Sequence, residues 1–307
     1  MHQPVMVKEV LAWLQPRPGG IYVDGTAGDA GHSWAILEAS SPDGRLIGLD
    51  RDVAAAAEAT QRLLPFGARA MVRQVNYRDA DRVIDYVGVR GLHGAVLDLG
   101  VSSSQLDTAA RGFSFMSEGP LDMRMDRREP QTAGDLVNCL PETELARLLF
   151  DYGEERYARR IARAIVRRRA RGPFLTTQDL VEVIRGAVPP FSLHGRLHCA
   201  TRTFQALRIA ANRELEDLGP ALRMLAGLLL PGGRLVVLSY HSLEDRIVKH
   251  TFRELGAPSA GMAEFVVLTK RPLTPSAEER VENPRARSAK LRVLARVGVG
   301  EFTENAA

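Results

Sequence analysis

Cysteine is nearly absent from this chain of 307 residues. The two that occur, Cys139 and Cys199, lie far apart with no histidine pattern beside them. That excludes a disulfide framework and offers no zinc set, so no metal centre is expected and both read as free thiols. No window approaches about eighteen consecutive apolar residues, so no membrane-spanning helix is expected. The opening stretch MHQPVMVKEVLAWLQPRPGG lacks the basic start and apolar run of a secretory signal. A cytoplasmic protein is the expectation. Excess charge is also small, at +4 from 41 Lys and Arg against 37 Asp and Glu, so the position of the charge matters more than its total. With 45% hydrophobic and 25% charged residues, the chain has the composition of an ordinary globular protein.

What is present is a rhythm. Val7, Val10, Leu11 and Leu14 mark a short amphipathic helix, ended by Pro16, Pro18 and Gly19-Gly20. Strands are expected at 21–24, 45–50, 70–75 and 93–99, with helices over 33–39, 54–64 and 80–87 between them. HGAVLDL at 93–99 is apolar almost throughout, the mark of a strand covered on both faces. The order β-α-β-α-β-α-β requires a parallel sheet wound by helices. From about residue 117 to 200 buried strands give way to helical patterns over 141–152, 155–171 and 177–186. Helices at 203–218 and 220–230, a strand at 233–240 and an edge hairpin of 264–268 with 290–297 complete the pattern. The expected architecture is an α/β, Rossmann-like sheet domain of residues 1–116 and 201–307, discontinuous around a helical insertion at 117–200.

The stretch IYVDGTAGDAGH at 21–32 is a strand, a glycine turn and a helix start. Asp24 ends the strand, and Gly25, Gly28 and Gly31 allow close backbone approach. The spacing G-x-x-G-x-x-G is not the dinucleotide fingerprint G-x-G-x-x-G, which speaks against a pyrophosphate and a nicotinamide-dependent dehydrogenase. An amino-acid-bearing nucleoside such as S-adenosyl-L-methionine fits better, with Asp24 near its ammonium and Asp50, at the end of the second strand, taking both ribose hydroxyls. Asp98 ends the fourth strand and faces the same crevice, followed by the polar run Ser102, Ser103, Ser104, Gln105. That run is either a loop over the ligand or a serine-rich capping turn. The Asp/Asn-Pro-Pro-aromatic quartet common in enzymes that methylate base amines is missing; the acid remains without the prolines.

Six separated blocks then carry a resemblance: HQPVMVKEVL at 2–11, DGTAGDAGHS at 24–33, DLGVSSSQLD at 98–107, RGFSFMSEGPLDMRMD at 111–126, LSYHSLEDRIVK at 238–249 and NPRARSAKLRV at 283–293. In order and over nearly the whole chain, they resemble the family of ribosomal RNA small subunit methyltransferase H. The resemblance implies an S-adenosylmethionine-dependent enzyme that methylates the N4 amine of a cytidine in the decoding region of small-subunit (16S) rRNA, within the assembled subunit. It implies cofactor contacts at Ala30, Gly31, His32, Asp50, Tyr77, Asp98 and Gln105; Tyr77 and Gln105 rest on it alone. The family reads glycine where this chain has Ala30, a tolerable change unless the position needs positive φ. Acceptors for the N4 hydrogens would come from Asp98, the Leu99 carbonyl, Ser102 and Ser103. His241 and Ser242 would line the base pocket with Tyr240 as a stacking face, or Tyr240-His241 would serve as a core or hinge pair.

Eight arginines lie within sixteen residues, 156–171, opposed only by Glu154 and Glu155. Arg156, Arg160, Arg163 and Arg167 fall on one helical stripe, which points to phosphate binding. Lys270, Arg285 and Arg287, on a proline-broken loop, are expected to form a second RNA contact. A non-enzymatic RNA-binding assembly factor would account for the arginines but not for Asp24, Asp50 and Asp98.

Overall fold

A computed structural model describes residues 4–195, 197–258 and 263–298. The chain divides into two compact units, residues 1–100 with 215–307, and residues 101–214.

In the first unit the chain runs α1 (Val7–Leu14), β1 (Ile21–Asp24), α2 (Gly31–Ala39), β2 (Arg45–Asp50), α3 (Val53–Arg62), β3 (Ala70–Gln74), α4 (Ala80–Tyr86) and β4 (Leu92–Asp98). The second unit follows with α5 (Ser103–Asp107), α6 (Ala133–Cys139), α7 (Glu142–Gly153), α8 (Ala158–Arg169), α9 (Thr177–Ala187) and α10 (Thr201–Asn212). The chain then returns through α11 (Glu214–Gly227), β5 (Leu229–Ser239), α12 (Ser242–Leu255), β6 (Phe265–Val267), α13 (Ala277–Glu282) and β7 (Lys290–Arg296).

The seven strands form one sheet in the order β3-β2-β1-β4-β5-β7-β6. β1 to β5 pair in parallel, and β7 runs antiparallel to both β5 and β6. This is a doubly wound, Rossmann-like sheet with the C-terminal hairpin at its edge. Each face is sealed by its own cluster: Val23, Leu49, Leu97, Val237 and Phe252 on one side, Tyr22, Leu46, Val96, Val236 and Val293 on the other. Neighbours in a strand go to opposite clusters, as the two-residue period of a covered sheet demands.

The helical unit has a core of its own, built on Leu136, Leu149, Ile161, Ile165, Leu180, Ile184, Phe204 and Leu207. α8 buries Ala158, Ile161, Ala162 and Ile165, positions i, i+3, i+4 and i+7 of one face. The unit extends beyond 117–200 at both ends because Phe113 before it and Phe204, Leu207 and Ala211 after it pack into that core.

Four boundaries depart from the sequence pattern. α8 begins at Ala158 because Glu154 turns left-handed (φ 48°) and the Glu155 carboxylate accepts from the Tyr157 N–H at 2.8 Å. The helix expected over 203–218 stops at Asn212, where Arg213 takes φ 51°, and Pro220 falls inside the next helix rather than starting it. β5 starts at Leu229 and carries Pro231-Gly232-Gly233 within it, Gly232 at φ +80°. Ser102 to Gln105 form a helix start, not an open loop.

Candidate cofactor site at the strand ends

The sheet unit gathers three acids at one edge. Asp24 lies opposite Gly48 of β2 and Val96 of β4, so Asp50 and Asp98 close their strands two residues further along. The chain order reverses between β1 and β4, which is where open α/β sheets leave a crevice for ligands.

The glycine turn is shaped by what lies beneath it. A β-carbon on Gly25 would overlap Leu97 Cδ2 and crowd Tyr77 Cβ, so a larger residue there would have to displace the Leu97 side chain. Gly28 takes φ +51° and donates its N–H to Asp50 Oδ2 at 2.9 Å. Ala30, fully buried, sits at φ 63°, ψ 25° immediately before α2, so the position does need the left-handed conformation. A β-carbon on Gly31 would press on Pro4, and the Val5 carbonyl accepts from His32 Nε2 at 2.8 Å. The N-terminal block is thus packed onto the turn.

The three carboxyl groups have different surroundings. Asp24 is 1% exposed; its oxygens accept from the Thr26 N–H (3.1 Å) and the Ser33 hydroxyl (2.7 Å). Burial raises its pKa against the pull of His32 and these bonds. Both of its oxygens are engaged within the turn. Asp50 accepts from Gly28 N–H and, at 2.8 Å, from Asp52 N–H, one bond to each oxygen. Each oxygen keeps a lone pair, the pattern a vicinal diol would meet. Burial outweighs the two amides and pushes Asp50 up to about 6.

Asp98, with a side chain 24% exposed, is the most heavily framed. Its N–H donates to Thr26 Oγ1 at 2.6 Å, and its Oδ1 accepts from the Tyr240 hydroxyl at 2.5 Å. Its Oδ2 lies 3.6 Å from His32 Nδ1. A carbonyl can only accept, so His32 carries a proton on Nε2 toward Val5, and a hydrogen bond between Nδ1 and Asp98 needs a second proton. Burial raises the Asp98 pKa; His32 and Tyr240 oppose it, while Asp24 and Glu244 add to it. Tyr240 is pushed well above its usual value by burial and then by Asp98, so it acts as a hydroxyl donor. Between the stacking and core roles the sequence left open, the structure spends the Tyr240 hydroxyl on Asp98.

The remaining candidates are placed as follows. Tyr77 opens a 3-10 turn after β3, its Cβ against Gly25. His241 caps α12, its Nδ1 3.4 Å from the Glu244 N–H and its Nε2 3.1 Å from Glu244 Oε1. Ser102, Ser103 and Gln105 belong to the helical unit. There the Ser102 hydroxyl accepts from Gln105 N–H (3.3 Å), and Gln105 Oε1 accepts from Ser102 N–H (3.0 Å), a reciprocal helix cap. Thr26, Ser33 and the Tyr240–Asp98 bond were not picked out from the sequence. Ser33, nine residues after Asp24 in the first turn of α2, was the one with a legible signal.

Of the eight clustered arginines, Arg156, Arg159, Arg160, Arg163, Arg167 and Arg171 are exposed. Arg168 and Arg169 are not part of that face. Arg168 bonds the Gly172 carbonyl and Asp179 and lies over Phe174; Arg169 bonds the Val137 and Leu140 carbonyls at the end of α6. In the sheet unit Lys270 and Arg287 are exposed and Arg285 is half-buried.

S-adenosylmethionine fits this donor set. Three carboxyl groups at one crevice oppose a pyrophosphate and favour a cationic sulfonium, and Asp50 presents the two acceptors a ribose needs. Asp50, Asp98, the Gly28–His32 turn and Tyr77 are the residues of this unit that would hold it.

A model of the MraW methylase family matches residues 1–297. Curated relatives named ribosomal RNA small subunit methyltransferase H are similar along almost their whole length. That of Geobacter sulfurreducens is 54% identical, over 95% of this chain and 97% of its own. That of Pelobacter propionicus is 53% identical over 95% and 97%, and that of Syntrophobacter fumaroxidans 48% identical over 97% of each. Among solved structures, an rRNA methylase from Streptococcus thermophilus covers 97% of this chain and 99% of its own at 10% identity and a TM-score of 0.44. A sheet edge arranged for a sulfonium nucleoside and a sequence match over nearly every residue lead to one assignment: this chain belongs to the MraW methylase family.

Proposed function

We propose that this methylase transfers the methyl group of S-adenosylmethionine to the exocyclic N4 of a cytidine in the decoding region of small-subunit rRNA. The observation that carries the reading is Asp98: a carboxyl group at the end of β4, oriented by the Tyr240 hydroxyl, with its backbone N–H held by Thr26, yet still partly open. The relatives' shared name supplies the substrate class, small-subunit rRNA.

When bound, the cofactor supplies an electrophilic methyl group on sulfur. The N4 lone pair is delocalised into the cytosine ring, so the amine is a weak nucleophile. An acceptor aimed at an N4 hydrogen draws the amine out of conjugation as its lone pair forms the new N–C bond. Bound at the strand ends, the cofactor would give up its methyl group with the S–C electron pair remaining on sulfur. In this reading Asp98 is the acceptor for the N4 hydrogen, supported by the Tyr240 hydroxyl that orients its carboxyl group. The N4 proton is acidic only after methyl transfer, and water takes it. The target base leaves its stack to reach the strand ends. His241 assists in this reading by lining the base, and the assembled small subunit, rather than free RNA, is the substrate in the cytoplasm.

Mass spectrometry of small-subunit rRNA with and without the protein tests it. A methyl group appearing on N4 of one cytidine is the expected result; a methyl elsewhere, or none, refutes the reading. Offering isolated rRNA and assembled subunits in parallel decides between the two substrates.

A further inference from the structure

The helical unit carries an exposed apolar turn that its own fold does not use. Pro190–His194 form a 3-10 turn after Pro189, and within seven residues Phe191 is 71% exposed and Leu197 58%. Single exposed apolar residues are ordinary. Here the turn is held in place by the Ser192 hydroxyl, 3.2 Å from the Tyr157 hydroxyl; further along the chain His198 stacks on Phe115 with ring centroids 4.7 Å apart and planes 14° from parallel. The prolines limit the chain further. A large ring is thus kept in water on a fixed platform.

Tyr157 immediately precedes α8, so the platform is tied to the helix end bearing Arg156, Arg159 and Arg160. All three are exposed, and among the described residues none has a carboxylate partner within ion-pair distance. Residues 101–214 hold 18 of the 41 Lys and Arg against 14 of the 37 Asp and Glu, so the chain's whole net charge of +4 resides in this unit. Steps of three and four along α8 are about 5 to 6 Å apart.

A protein partner with an apolar centre would disfavour clustered unpaired cations at its core. A duplex offers phosphates but no open base face. A ring beside arginines is the arrangement that holds single-stranded nucleic acid, bases on the aromatic and phosphates on the cations. We propose that the Pro190–His194 turn, with Phe191 as its stacking face, grips an unpaired base of the RNA while Arg156, Arg159 and Arg160 hold the phosphates beside it. This rests on the RNA-methylase reading and adds the form of RNA the helical unit takes.

The test is fluorescence anisotropy with the full chain, using a labelled single-stranded oligonucleotide copied from the decoding region and a duplex of equal length, at several salt concentrations. Wild type should prefer the single strand. Phe191→Ala should lose about five- to a hundredfold in affinity, the range for one base stack, with an unchanged salt slope. Phe191→Trp should keep or gain affinity. Arg159→Ala with Arg160→Ala should reduce the salt slope by roughly 0.7 per arginine for a single strand. Phe191 is exposed, so its variants should keep the wild-type melting temperature and cofactor affinity. Wild-type affinity in Phe191→Ala, or equal loss for single strand and duplex, overturns the proposal. So does unchanged RNA binding together with lost binding to isolated small-subunit proteins, which would assign the turn to a protein contact. If rRNA is methylated by the Phe191→Ala variant as by wild type, only this inference falls. If wild type methylates no rRNA, the functional reading itself falls.

Discussion

Tyr240 and Asp98, 142 residues apart in the chain, meet in a 2.5 Å hydrogen bond from the phenol to Oδ1. That bond lowers the Asp98 pKa against the burial that raises it. Tyr240→Phe should therefore move Asp98 further up. If the ionised carboxylate accepts from N4, the acid limb of the kcat profile shifts to higher pH in the variant. Kcat should fall about tenfold at neutral pH, equivalent to about 1.4 kcal/mol, with little change in cofactor Kd. An unshifted pH profile would reduce Tyr240 to a packing residue.

Asp50 makes the sign of a second pH effect explicit. Its folded value of about 6 lies above the usual 3.8. Between these two values the folded chain retains a proton that the unfolded chain has released. The stability it contributes is present below 3.8 and is lost as pH rises through 6, about 3 kcal/mol in the ligand-free protein. Cofactor affinity should run the other way, rising through the same window as the better acceptor forms. Asp50→Asn should bind the cofactor weakly at all pH and lose both dependences, by calorimetry and thermal melts at pH 5 and 7.5.

The arginine cluster separates into two groups. Arg160→Glu with Arg163→Glu should weaken RNA binding and leave the melting temperature within a degree or two, because both side chains are exposed and the one ion pair they make among the described residues, Arg163 to Glu142 at 3.6 Å, is a surface one. Arg169→Ala should do the reverse. It removes the donor to two carbonyls at the end of α6, costing about 1–3 kcal/mol.

Ala30→Gly should be close to neutral. Relief of the left-handed strain gains about 1–2 kcal/mol. The added freedom of the unfolded chain costs about 0.4–1 kcal/mol, and the lost buried methyl about 0.8 kcal/mol. A melting temperature within a few degrees and unchanged cofactor affinity are expected; Ala30→Val, β-branched at φ 63°, should destabilise clearly.

The strand ends were readable because each is a buried apolar run closed by one acid, and that pattern is local. Asp24, Asp50 and Asp98 stood out for this reason, and the sheet order followed from the βαβ rule. Helix limits were less readable. Glu154 and Arg213 turn left-handed within continuous helical periodicity, and nothing in their side chains announces it. The Ser102 run admitted two readings, and the capping box with Gln105 shows which hydrogen bonds it forms.

The sequence alone determined the parallel sheet, the crevice at its acid-bearing edge, a turn unsuited to pyrophosphate, and a basic helical segment. It could do so because periodicity, strand-end acids and glycine spacing act over a few residues. Only the tertiary structure decided which of eight arginines face water and which hold the fold, that Ala30 sits in a glycine conformation, and that Tyr240 is spent on Asp98. Those facts depend on contacts between residues far apart in the chain, and a local pattern carries no record of them.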